Sequence, residues 1–253
     1  MPANSVLPLD ALPSHARSVL TDLVAAARDS FQDHLSSIIL FGSAAEGRLR
    51  PTSDLNLVIV LTEFDKKRVD SFREPMRMAH VAVRATAMFI KDTELEDAVA
   101  LSPVKFGDIA RRHLMLFGTL PAAFSTVSQA DQRRQLREML MNLSLRLRQT
   151  YVLTSLRPEQ LAKVIANCAG PLRSAAFTLL ELEGSTASSP KAALETLAAI
   201  LPDAPAGQSW QDLCGQISRA RETGQMAPDI AGPTLFDLIA LTAAMRGRVE
   251  LAS

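Results

Sequence analysis

SSIILFGSAAEGRLRPTSDLNLVIVL, residues Ser36 to Leu61, sets the architecture of this chain. Its first part, Ile38-Ile39-Leu40-Phe41, is a short apolar run closed by Gly42-Ser43, the signature of a buried strand ending in a turn. Small and polar residues follow, with Gly47 and Pro51 among them, and a second apolar run spans Leu55 to Leu61. Asp54 and Asn56 open that run. Strand side chains alternate between faces, so these two point the same way. A Gly-Ser turn after one strand thus meets two polar side chains at the start of the next. That arrangement suits a phosphate beside a metal ion.

Outward from this stretch, the pattern differs on the two sides of the chain. Upstream, Pro13 to Leu35 predicts an amphipathic helix, with Val19, Leu20, Leu23, Val24, Ala27, Phe31 and Leu35 at helical spacing and Ser14 as its cap. Downstream, Thr62 to Asp70 reads as a turn and Ser71 to Ala79 as irregular or a short helix. His80 to Ile90, HVAVRATAMFI, reads as a third strand. Asp92 to Leu101 and Phe106 to His113 read as short helices, and Leu114 to Phe117 as a brief strand stopped by Gly118. From Ser128 the pattern is helical only. Helices are expected over Gln132 to Leu153, from Pro158 with a break or kink at Gly170-Pro171, and near Lys191 to Ile200, Gln208 to Arg221 and Pro233 to Val249. The expected organisation is α+β, with residues 1–124 an α/β domain and residues 125–253 an all-α helical domain.

Composition narrows the function classes. The chain has 253 residues, with 27 Lys and Arg against 27 Asp and Glu. The balance holds in both halves, so neither is a general nucleic-acid or membrane-surface binder. Met1 to Asp10 lacks the basic start and apolar core of a secretory signal, and no run of about 18 apolar residues occurs. Cys168 and Cys214 stand far apart without a metal-binding spacing, which suits reduced thiols in a cytoplasmic protein. His15, His34, His80 and His113 share no ligand spacing either.

The run Leu40-Phe41-Gly42-Ser43, ten residues, then Asp54-Leu55-Asn56-Leu57 resembles the motif of the nucleotidyltransferase superfamily related to DNA polymerase β. The likeness covers about residues 13 to 120 and is nearest in look to bacterial proteins of the aminoglycoside adenylyltransferase type, which add a helical C-terminal domain. Leu114 to Gly118, LMLFG, is similar to the strand that closes the core in that group. The resemblance implies a mixed sheet with flanking helices, followed by a helical bundle. It implies that N–H groups at Gly42 and Ser43 donate to a nucleotide's phosphates. It also implies that carboxylates on two neighbouring strands hold two Mg²⁺ ions, one activating a hydroxyl and one stabilising departing pyrophosphate.

At the carboxylates the sequence departs from that pattern. Asp54 supplies the first acid. The second position is Asn56, a neutral ligand, and the third falls on Thr86 when the segment is aligned by Asp92-Thr93-Glu94-Leu95. No Asp or Glu occurs between Glu74 and Asp92. Mg²⁺ prefers hard anionic oxygens, so two of three metal-binding charges are missing. Arg84 is expected to pair with Asp54 and take the cation's place, the alternative being a solvated arginine. Gly42, Ser43, Asn56, Arg84 and Thr86 are the expected nucleotide contacts, and Asp54 a residual catalytic and weak metal-binding group. Glu63 and Asp65, just after the second strand, either swing toward the site or form a solvated, charge-rich turn. In the helical half, Arg133, Arg137, Ser144 and Arg148 fall on one face. That face is either a phosphate or nucleic-acid stripe or a solvated, acid-paired surface.

Two function classes stay open. One is a catalytically degenerate protein that binds a nucleotide such as ATP, or a phosphate ligand, or serves as a regulatory module through a homodimer or protein partner. The other is an active Mg²⁺-dependent nucleotidyltransferase moving a nucleoside monophosphate to a hydroxyl. Mg²⁺ is expected as a cofactor only in the second case.

Overall fold

In the computed structural model the described residues are 12–47, 54–202, 204 and 209–251. The chain divides into two compact units, Met1–Ser128 and Gln129–Ser253. The first unit is built on a four-stranded mixed sheet. Its strands are β1 (Leu35–Phe41), β2 (Leu55–Leu61), β3 (Ala85–Lys91) and β4 (His113–Gly118). Their order is β3-β2-β1-β4. β1 runs antiparallel to both β2 and β4, and β2 runs parallel to β3.

The alternation in LNLVIVL explains why both faces of the sheet are covered. Leu55, Leu57, Ile59 and Leu61 join Ile38 and Leu40 in one core, against α1 (Ser14–Phe31) and α2 (Lys66–Val83). Val58 and Val60 join Ile39 and Ile90 in a second core, with α3 (Leu95–Leu101) and α4 (Pro103–Arg111) supplying Val99, Phe106 and Ile109. Asn56 belongs by parity to the row of Val58 and Val60, and Thr86 to that of Ile90. Polar residues therefore begin the inner rows of two paired strands. On the first face, Phe31 and Phe72 meet with ring centroids 5.2 Å apart. Truncating either ring would cost about 3–5 kcal/mol.

The segment between β2 and β3 differs from expectation. Residues 71–79 are neither irregular nor short-helical, and His80 to Val83 are not strand. All belong to α2, an 18-residue helix that contains Pro75. Its start is fixed by Asp65, whose carboxylate accepts from the N–H groups of Lys67 and Arg68. These backbone hydrogen bonds, that from Arg68 first, hold the Asp65 carboxyl below its usual range. Ion pairs Lys66–Asp70, Arg73–Asp70 and Arg77–Glu74 line the wet side, while Phe72, Met76, Ala79 and Val83 pack on the first core. The valines of HVAV thus follow helical spacing, and strand begins only after Arg84. Ser14, expected as a cap, is the first helical residue of α1 and Pro13 precedes it. The Gly-Ser stop at β1 and the Gly118 stop at β4 are as expected.

Among the described residues, the regular elements of the second unit are helices: α5 (Gln129–Thr154), α6 (Pro158–Leu182), α7 (Pro190–Ile200), α8 (Trp210–Thr223) and α9 (Pro228–Leu251). Gly170-Pro171 does not interrupt α6. Pro171 lies on the exposed side together with Asn167, whose carbonyl it leaves without a donor, while Ala169, Leu172, Ala175 and Ala176 are buried around it. Pro233 likewise sits inside α9 rather than at its start. Cys168 and Cys214 are free and buried, and burial pushes both thiols up to about 11. No described helix is long and apolar enough to cross a membrane.

Candidate functional site

At the end of β1 the chain enters a single 3₁₀ turn, Gly42–Ala44. Its first internal hydrogen bond runs from the Ala45 N–H to the Gly42 carbonyl at 3.1 Å, so the N–H groups of Gly42 and Ser43 precede it. Gly42 has φ 81°, a left-handed conformation that disfavours side chains. A Cβ there would only touch Asn56 Nδ2 at 3.8 Å, so backbone conformation, rather than crowding, calls for glycine. No α-helix follows the turn directly among the described residues. The chain instead turns again, with the Gly47 N–H donating to the Ala44 carbonyl at 3.0 Å. Pro51 lies outside the described residues.

β2 and β3 bring the other expected residues together. In the parallel register Asn56 is paired with Thr86, and the Thr86 hydroxyl donates to Asn56 Oδ1 at 3.0 Å. Arg84 is not on the strand. It is the left-handed C-cap of α2, with φ 54° and ψ 36°. Its N–H donates to the His80 carbonyl at 2.8 Å, and its carbonyl accepts from the Leu55 N–H at 3.3 Å. This cap turns the side chain back toward the start of β2, where Arg84 Nε donates to Asp54 Oδ1 at 2.7 Å. The side chains of Arg84 and Asp54 remain 58 % and 46 % exposed. An ion pair this wet contributes no more than about 1 kcal/mol, so a competing anion can take Arg84 from Asp54 at little cost.

The donor set does not match a two-Mg²⁺ site. Asp54 is its one carboxylate, with Oδ1 engaged by a guanidinium, and Asn56 and Thr86 are neutral and bonded to each other. Among the described residues no group of three or more His, Cys, Asp or Glu side chains is arranged to hold a metal ion. Glu63 and Asp65 do not swing in. They follow the far end of β2, where Glu63 lies 3.6 Å from His34 and Asp65 caps α2. Three histidines have local partners: His34 meets Thr62, His80 donates to the Ala85 carbonyl, and His113 donates to the Ile109 carbonyl.

One feature of the site carries no sequence signal. Glu46, in the turn after Ser43, is held by Arg112 at 3.2 Å, and Arg112 Nε also donates to Asp108 Oδ1 at 2.8 Å. Burial by itself would push the guanidinium pKa down, but the two carboxylates outweigh it and hold the value above the usual one. The triad ties the turn to the end of α4. Sixty-six residues separate its partners, and neither periodicity nor a short motif links them.

In the helical unit the expected arginine face is mixed. Ser144 is buried and Arg148 exposed. Arg137 pairs with Glu250 at 3.0 Å, and Arg133 reaches the Leu182 carbonyl at 3.5 Å.

Residues 22–106 match the family model described as a nucleotidyltransferase domain. With the sheet order and the Gly-Ser turn, this match gives the first unit a nucleotidyltransferase-type fold. Among solved structures, the chain is similar to the spectinomycin adenyltransferase AAD(9) from Enterococcus faecialis, whose crystal structure holds ATP and spectinomycin. The TM-score is 0.56 at 12% identity, over 92% of this chain and 98% of that one, a likeness of fold. A search of curated proteins finds no match.

Proposed function

We propose that this protein uses a nucleotidyltransferase fold to bind a nucleotide, or another phosphate ligand, without carrying out nucleotidyl transfer. The observation behind this reading is the Arg84–Asp54 pair, which puts a fixed positive group beside the one remaining acid. In this reading the Gly42 and Ser43 N–H groups take the terminal phosphates. Arg84 leaves Asp54 to meet them, supplying charge that a metal ion would otherwise bring. Asn56 and Thr86, which bear no charge, add hydrogen bonds. The bound state then acts as a signal to a partner or to a second copy of the chain. The neighbouring structure's ATP makes adenine nucleotides the first ligands to try.

Calorimetric titration with ATP, in EDTA and then with Mg²⁺, tests the proposal. Binding is expected in EDTA, little changed by Mg²⁺, and weakened about tenfold by Arg84→Ala, the loss of one charge-assisted contact. The retained Asp54 supports a second reading, an active Mg²⁺-dependent transferase that moves a nucleoside monophosphate to a hydroxyl. Tight binding only with Mg²⁺, together with pyrophosphate release, would establish that reading and overturn ours.

A further inference from the structure

The second unit carries a basic groove independent of the Gly-Ser turn. On α5, Arg133, Arg134, Arg137 and Glu138 recur at helical spacing within the first turns, and α9 contributes Arg246 and Glu250 near its end. The groove between the two helices has a volume of about 620 Å³, inside the roughly 300–1,000 Å³ range of small-molecule sites. Four guanidinium groups face two carboxylates there. The arginines are not equally committed. Arg134 pairs with Asp131 at 2.7 Å and Arg137 with Glu250 at 3.0 Å. Arg133 and Arg246 meet no carboxylate among the described residues. The nearest acceptor of Arg133 is the Leu182 carbonyl at 3.5 Å, and its Nε is buried without a hydrogen-bond partner. Arg246 donates to the sulfur of Met141, a weak acceptor, at 2.8 Å.

A buried guanidinium N–H without an acceptor is unfavourable, so this groove is incomplete as it stands. Planar forks from two helices match the oxygens of a phosphoryl group. Because Arg133 and Arg246 come from different helices, the fitting ligand carries at least two anionic groups. A nucleic-acid strand fits less well, because Glu138 and Glu250 interrupt the positive surface along which a backbone would have to run.

We infer that the α5–α9 groove binds a compact diphosphate-bearing small molecule, with Arg133 and Arg246 as its principal contacts and Glu250 as the internal carboxylate that holds Arg137 until the ligand arrives. The Glu250 part follows from the ion pair: a ligand phosphate and the Glu250 carboxylate compete for the same guanidinium.

The test is calorimetric titration of the full chain with inorganic pyrophosphate in EDTA, and separately with ADP, which divides free from nucleotide-borne diphosphate. Saturable binding is expected, weakened about tenfold or more by Arg133→Gln with Arg246→Gln. Glu250→Gln is expected to strengthen it several-fold, and Arg84→Ala to leave this binding event unchanged. In the Arg84→Ala background, where the Gly-Ser turn is weakened, binding that the double variant leaves intact, or no saturable binding of either probe, overturns the inference. If the double variant does not fold, as judged by its circular dichroism, Glu250→Gln decides alone, and an unchanged or weakened affinity overturns it. Because the Arg84→Ala titration reports on the Gly-Ser turn separately, either site can fail its test without affecting the other.

Discussion

Replacing Arg112 by methionine keeps the length of the side chain and removes its charge from the centre of the Asp108–Arg112–Glu46 triad. The Arg112 side chain is only 11 % exposed, and those of Asp108 and Glu46 are 18 % and 19 % exposed. Removing one member of a buried pair costs about 3–5 kcal/mol, chiefly because the remaining charge is stranded. Here Glu46 loses its cation while Asp108 keeps Arg111 at 3.9 Å, and each carboxylate keeps some access to water, so the lower end applies, about 3 kcal/mol. For a unit of this size, each kcal/mol moves the melting temperature by roughly 3–4 °C, so Tm should fall by roughly 10 °C. Differential scanning calorimetry reads the shift. Glu46→Gln, which leaves the Asp108 contacts intact, should lower Tm by roughly 3 °C. It should also weaken phosphate binding at the turn, because Glu46 ties that turn to α4. A fall of less than about 3 °C for Arg112→Met would mean that desolvation of the triad already cancels its attraction. The triad would then contribute position but no stability.

Other perturbations probe the site and the frame around it. Asn56→Asp with Thr86→Asp places two carboxylates on the paired strands beside Asp54, so Mn²⁺ affinity measured by electron paramagnetic resonance should rise about tenfold or more; no rise would show that the residues no longer hold a metal-binding geometry. Gly118→Ala should be severely destabilising, by about 3 kcal/mol or more in urea unfolding. Gly118 has φ 72°, and the new Cβ would lie 2.2 Å from the Ser36 carbonyl oxygen. An alanine variant of normal stability would contradict the β1–β4 register. Burial raises the pKa of Asp237, whose Oδ2 has no hydrogen-bond partner. Between the ordinary carboxylate pKa, about 4, and that raised value, the folded state binds more protons than the unfolded one, so stability falls as pH rises. Asp237→Asn should therefore stabilise the protein at pH 7 and not at pH 3, as seen by urea titration at each pH.

The shared face of Asp54 and Asn56 is readable without coordinates, because strand side chains alternate, and the other six residues of β2 do divide between the two cores. The alignment of Thr86 opposite Asn56 is readable too, through the register implied by the segment that follows β3. The Arg84–Asp54 contact is expected from the sequence for a reason only half correct. Counting two residues back from Thr86 puts Arg84 on the strand, but it reaches Asp54 as the left-handed cap of α2. The same ambiguity of strand and helix hides α2, since Val and Ala in HVAV satisfy period 2 as well as period 3.6 over so few residues. The ion pairs and the Asp65 cap that settle the matter lie upstream, in a segment whose charge density suggests a turn. The Arg112 triad, and the pairing of the α5 arginines Arg133 and Arg137 with α9, are beyond reach for another reason. Each depends on residues distant in sequence, whose meeting is fixed by packing and by no local pattern.

The left-handed backbone at Arg84 ties two tasks to a single position. A residue with φ 54° ends α2 so that β3 can start in register, and glycine would do this with less strain than any side chain. Arginine held there gives up about 1 kcal/mol relative to glycine, and the wet ion pair with Asp54 returns no more than about that amount. Selecting variants for thermal resistance would therefore drift toward Arg84→Gly, a tighter frame with its guanidinium gone. At this one position a more robust protein and a phosphate-reading protein are different molecules.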